Sequence, residues 1–233
     1  MDDRHPNPSR HGGPPLHYLA WFVALTPLFT THISFMLAAS LGHLDWCCPY
    51  GPDCYSISAT GREWPEKLWF KFGMLPSALA LILLWWRAAR LHRLAATRLK
   101  ITLKIMPVLG TFAALCLLLY TLALGEEGQA YRLVRRIGII LSFSLTYLTQ
   151  LLLTRLLFDM RNLPGLEYIA RWSKKLLTVM LVLLATGVLS VILDLSLGEG
   201  YDRFENAFEW SMAFMLSSYF AILAAMWRAH REQ

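Results

Sequence analysis

Long apolar runs alternate with short polar connectors along the whole chain. Residues 16–41, 68–86, 105–124, 134–158, 176–197 and 206–227 each form such a run, and about 20 apolar residues is the length that crosses a bilayer as a helix. The pattern predicts an all-α fold, a polytopic membrane helical bundle of six transmembrane helices with both termini cytoplasmic. In this division residues 1–15 are a disordered cytoplasmic N-terminus rich in Pro and Gly. Residues 16–227 are the six-helix domain with an external loop at 45–66, and 228–233 are a basic cytoplasmic tail. Ala38-Ala39-Ser40 resembles a cleavage region. The apolar stretch that starts at Leu16 is longer than a signal core, however, so it reads as a retained first span.

Within the runs, polar residues recur at helical spacing. Thr26, Thr30 and Ser34 share one face of the first span, and hydroxyls there suit bonds to neighbouring helices. Thr186, Ser190 and Asp194 form a similar stripe on the fifth. Pro27, Pro76 and Pro107 mark bends. Trp64-Pro65-Glu66 reads as a helix start, with proline early and a carboxylate at the positive end of the helix dipole.

Composition agrees with the pattern: 233 residues are 56% hydrophobic and 16% charged, too little polar surface for a soluble domain of this length. The formal charge of +6 could indicate nucleic acid, but its distribution argues otherwise. Basic residues cluster between apolar runs at 87–104, 161–175 and the C-terminus, as expected of cytoplasmic connectors. Arg132, Arg135 and Arg136 are the exception, since that end of the fourth span should face outward. Three of the four cysteines, Cys47, Cys48 and Cys54, fall in the loop predicted to be external, where disulfides persist. Cys54 can pair with Cys47 or with Cys48. A zinc site with His43 or Asp45 is the other use of this trio, but the spacing matches no standard zinc pattern, and neither metal nor cofactor is expected.

Three charges lie about a turn inside apolar runs: Lys71, Asp194 and Glu209. A charge at bilayer depth costs about 2.5–3.5 kcal/mol at the centre, so each should pair within the bundle or meet water. All three lie toward the outer leaflet, as do Arg132 and Arg136. The expectation is an outer-side polar pocket with Glu209 and Asp194 opposite Lys71 or Arg136, roofed by the loop. It serves either to fix helix order or to take a lipid headgroup, with arginines gripping phosphate. His32 is a candidate proton-sensitive group, or a satisfied interior histidine.

Ser56-Ile57-Ser58-Ala59-Thr60-Gly61, followed by Pro65-Glu66-Lys67 and leading into Phe70 and Met74, resembles the first outer loop of the Frag/DRAM/Sfk-type membrane proteins. That family includes the damage-regulated autophagy modulators and the post-GPI-attachment lipid-remodelling factors. Glu209-Trp210, followed by Ala213-Phe214, looks like the family's Glu-Trp pair at the start of the last span. The cysteine-rich insert before Ser56 and the very short outer turns depart from the pattern. The resemblance implies a factor that acts on membrane lipid composition or distribution.

The expected function is therefore that of an integral membrane protein, in a plasma or inner membrane, binding or handling lipid at the outer-leaflet pocket. Ser58, Thr60 and Glu66 shape the loop above it, and Lys71, Arg132, Arg136, Asp194 and Glu209 line it. Membrane lipids are the expected partners, with room for a membrane-protein partner and the oligomeric state open. One alternative is an intramembrane lipid hydrolase or acyltransferase using Ser56 or Ser58 with Glu209 or Asp194, which needs a base within hydrogen-bond reach of the hydroxyl. Another is a non-catalytic scaffold subunit.

Overall fold

The computed structural model describes residues 15–92, 100–161 and 168–231. The disordered N-terminus expected at 1–15 lies outside them but for Pro15, as do parts of the basic connectors and the last two residues of the tail. Among the described residues the fold is all-helical. Six long helices follow in order: α1 (Leu16–Ser40), α2 (Glu66–His92), α3 (Lys100–Ala123), α4 (Gln129–Met160), α5 (Tyr168–Leu197) and α6 (Asp202–Arg231). Each coincides with one predicted run, α1 and α3 ending one residue short of it, and most continue past it by a turn or two. The extensions are rich in polar and basic residues.

By length and apolarity, five stretches qualify as membrane spans rather than the six expected. They are α1 to α4 and one continuous stretch, Tyr168–Ala229. The last takes in both α5 and α6, because a 3-10 turn at Gly198–Tyr201 passes one directly into the other. The turn folds α6 back on α5: Thr186 meets Met215 Sδ, and the Ser190 and Tyr201 hydroxyls bond to each other.

The helices pack as a ring. Each touches its sequence neighbours, and α1 closes the ring against α6. Away from the loop, the core is built on Trp85, Leu153, Leu156, Leu157, Tyr219 and Phe220. Polar groups inside it bond across helices: Gln150 Nε2 donates to the Leu216 carbonyl at 3.0 Å, and the Tyr219 hydroxyl donates to the Gln150 carbonyl at 2.9 Å. Such bonds satisfy groups that hydrocarbon cannot. A second cluster lies beneath the loop, where Phe35, Phe70, Met74, Tyr120, Leu124 and Trp210 pack with Cys54 and Ile57. α1 and α2 approach closely at Gly73, where a Cβ would fall on the Thr30 side chain. Thr30 and Ser34 are buried and Thr26 is half-buried, so their stripe faces the bundle.

Candidate functional site

The segment between α1 and α2 is folded down onto the first turns of α6. Arg203, Asn206, Glu209 and Trp210 recur at helical spacing on one side of α6, and each holds the loop. Arg203 grips the Asp53 carboxylate through two nitrogens, at 2.9 and 2.6 Å, and accepts the Asp53 N–H on its carbonyl at 2.7 Å. Asn206 Nδ2 donates to the Cys54 carbonyl at 2.7 Å, and Trp210 Nε1 donates to the Tyr55 carbonyl at 2.9 Å. Ile57 N–H donates to Glu209 Oε2 at 3.4 Å, long enough to be weak. The Asp53–Arg203 pair is solvent-exposed and adds little by itself. The part-buried bonds from Asn206 and Trp210 contribute about 0.5–1.5 kcal/mol each.

From the other side, α1 supports the loop. Ser34 Oγ donates to the Thr60 carbonyl at 2.7 Å, and Thr60 closes its own turn by donating to the Ile57 carbonyl at 2.8 Å. Gly61 lies against Phe70, where a Cβ would sit 2.8 Å from the ring. Only glycine fits this crossing. Cys47 and Cys54 form the disulfide. Cys48 is an exposed free thiol and Cys116 a buried one. Of the two pairings that the sequence left open for Cys54, the structure has the one with Cys47, and Cys48 is the thiol left over. Among the described residues no group of three or more His, Cys, Asp or Glu side chains is placed to hold a metal ion.

Glu66 opens α2 and is fully buried. Its Oε1 accepts from His43 Nδ1 at 2.7 Å. The pair lines a polar pocket of about 230 Å³ beside Thr60 and Arg62. His32 is satisfied on both ring nitrogens: Nδ1 meets the Leu28 carbonyl at 2.7 Å, and Nε2 meets the Tyr50 hydroxyl at 3.0 Å. Its ring stands edge-on to Trp210. Burial raises the Tyr50 phenol above its usual range.

Beneath the loop, at the centre of the ring, is a cavity of about 90 Å³ lined by residues of α1, α2, α3, α4 and α6 together with Ile57 of the loop. Its wall is apolar apart from Glu209, the Tyr120 ring and the hydroxyls of Thr31, Ser77, Ser142, Thr146 and Ser217. Tyr120 Oη is buried and has no hydrogen-bond partner among the described residues. Glu209 uses one carboxylate oxygen on the loop. The cavity therefore holds two polar groups with unused bonding capacity, a carboxyl and a phenol.

The other predicted charges are not brought to this cavity. Lys71 Nζ bonds to Glu126 Oε1 at 3.2 Å, in the turn between α3 and α4, and Lys67 reaches the same oxygen at 2.7 Å. Asp194 is exposed on α5, and Arg132 and Arg136 are exposed on α4. Arg135 instead donates to the Ala123 and Glu126 carbonyls, capping the end of α3. The geometric reason is shared. The acidic turn at 125–128 competes for the lysines, and α5 turns its loop-end half away from the ring's centre. Ser58 Oγ bonds to Ser56 Oγ at 3.1 Å and accepts from Arg62 at 3.1 Å. Sequence reasoning missed Arg203, Asn206 and Tyr120. The first two sit three residues apart, about two turns and one turn before Glu209-Trp210, and that spacing was the available signal.

Apolar membrane-length helices arranged in a ring, with a cross-linked loop clamped over its centre, define a polytopic membrane protein. The particular family follows from comparison: the model for the Frag1/DRAM/Sfk1/Cwh43P N-terminal domain matches residues 15–227, and the chain belongs to this family. No curated protein and no solved structure matches the chain. Both sequence elements that carry the resemblance meet at the clamp: Ile57 and Thr60 on the loop, Glu209 and Trp210 on α6.

Proposed function

We propose that this protein binds and handles a membrane lipid at the central cavity beneath the loop, and that it does so without catalysis. The observation that carries the proposal is that Glu209 and Tyr120, whose hydroxyl is unpartnered, line one small cavity whose other polar groups are only hydroxyls. A carboxyl and a phenol facing one small space suit the hydroxyl or amine donors of a polar headgroup. A cavity of about 90 Å³ holds a few waters or one small polar group, so a larger headgroup requires the loop to lift from α6. In this reading α5 and α6 cross separately, giving six spans with both termini cytoplasmic and the loop outside, in a plasma or inner membrane. Among the described residues the Ser56 and Ser58 hydroxyls bond to each other, to the Ala59 N–H and to Arg62, and neither bonds to Glu209 or Asp194, so their surroundings lend no support to the hydrolase alternative.

The test is mass spectrometry of lipids copurified with wild type and with Glu209→Gln. The substitution should lower the amount of the retained lipid or change its identity while the helical content is kept. Equal lipid content and equal thermal stability in the two proteins would count against the proposal. Absence of any retained lipid from wild type would favour a scaffold role.

A further inference from the structure

A groove of about 540 Å³, larger than the central cavity, lies on the ring's outside between α4, α5 and α6. Although Thr186 and Ser190 still touch α6 and the turn before it, the groove lies where the burial of α5 ends. The buried residues of α5 are Ile169, Ser173, Leu176, Met180 and Leu183, and none follows. From there to Leu197 the helix splays from α4 and opens a cleft. The lining is apolar, with Phe143, Tyr147, Leu184, Val191 and Met212 around Gly187. Gly187 deepens the cleft: a Cβ there would have Met212 Sδ as its nearest neighbour, at 4.0 Å.

In a membrane such a cleft opens sideways to hydrocarbon, and its charged rim selects what fills it. On α4, Arg132 and Arg136 lie on the face that continues through Ile140 to Phe143 and Tyr147. Both are exposed, and neither guanidinium has an ion pair among the described residues. On α5, Asp194 continues the face of Gly187 and Val191. On α6, Glu205 lies two turns before Met212. Both carboxylates are exposed as well. Helical spacing thus puts cationic residues on α4 and anionic ones on α5 and α6 beyond the loop end of the groove, while the groove itself is apolar.

We propose that this groove seats an acyl chain of a zwitterionic phospholipid, with the phosphate on Arg132 and Arg136 and the headgroup amine toward Asp194 and Glu205. Arginines grip phosphate oxygens through paired N–H donors. The facing carboxylates favour a headgroup that also carries a cation and oppose one that is purely anionic. Phe143 and Leu216 line both the groove and the central cavity, so the chain would lie one side-chain layer from Glu209. The site does not require the central cavity to bind anything.

The experiment uses the full-length protein reconstituted in vesicles of equal phosphatidylethanolamine and phosphatidylglycerol, re-extracted, with the retained lipid measured by mass spectrometry. Wild type should retain phosphatidylethanolamine in preference. Gly187→Phe, which fills the cleft, should reduce retention about tenfold, with Gly187→Ala as the control for folding. Joint replacement of Arg132 and Arg136 by Gln should lower retention. Asp194→Asn should leave the amount and move the ratio toward phosphatidylglycerol. Equal retention of both lipids by wild type overturns the proposal, as does a Gly187→Phe variant that retains the wild-type amount. A cross-link between two copies through Gly187→Cys would show that a second chain fills the groove instead. Gly187 and Asp194 lie outside the central cavity, so a change in retained lipid with Gly187→Phe or Asp194→Asn reports on the groove, whereas a change with Glu209→Gln alone reports on the cavity.

Discussion

At the residue scale, the loop clamp combines contacts of unequal weight. Arg203 holds the Asp53 carboxyl below its usual value of 3.8 through their hydrogen bond. A carboxyl whose folded pKa is depressed stabilises the fold fully above its unfolded value and loses that contribution as pH falls through the lower folded one. The protection factors of amides 53–57, taken relative to intrinsic exchange at each pH, should therefore hold steady above about pH 4 and fall below it. Asp53→Asn should show part of that loss of protection already at neutral pH. Trp210→Phe, which strands the Tyr55 carbonyl, should release the loop further, by about 1 kcal/mol. If Asp53→Asn and wild type exchanged alike from neutral to acid pH, the exposed pair would have no part in holding the loop. Glu126 follows the same rule: its bonds to Lys67 and Lys71 hold its carboxyl low, so acid should also loosen the turn between α3 and α4.

At the scale of elements, α1 and α2 depend on one close approach. Gly73 has no side chain where the Thr30 side chain passes, and overpacking of a tight contact costs about 1–3 kcal/mol. Gly73→Ala should lower the thermal midpoint in detergent. Adding Thr30→Ala should recover part of the loss, since it removes two of the three crowding atoms. An unchanged midpoint in Gly73→Ala would mean that the helices separate without penalty. The same crossing explains why the Thr26, Thr30 and Ser34 stripe could be assigned to the bundle from spacing alone. Its partner could not be assigned. Ser34 bonds to a loop carbonyl 26 positions away, and helix periodicity carries no information about a loop. The helix starting at Glu66 was also legible, because a proline followed by a carboxylate is a local signal. The burial of that carboxylate against His43 was not.

At the scale of the whole molecule, the topology makes its own prediction. Cys48 is exposed in the loop and Cys116 is buried in α3. In sealed vesicles a membrane-impermeant maleimide should label Cys48 from the outside, whereas Cys116 should react only after denaturation. Labelling of Cys48 solely from the inside would reverse the orientation proposed for the bundle. The sequence alone determined that the chain is helical, that it belongs in a membrane and where its six apolar runs lie, because bilayer thickness and helical rise act on each segment separately. It also identified Glu209 and the loop motif, since a carboxylate inside an apolar run stands out wherever it sits. Only the tertiary structure decided which charges meet. Lys71 went to Glu126, while Asp194, Arg132 and Arg136 went to the ring's outer side, and Cys47 rather than Cys48 joined Cys54. Those outcomes depend on how helices rotate and splay against one another, and side-chain pairing across a bundle is set by that rotation, which no single segment encodes.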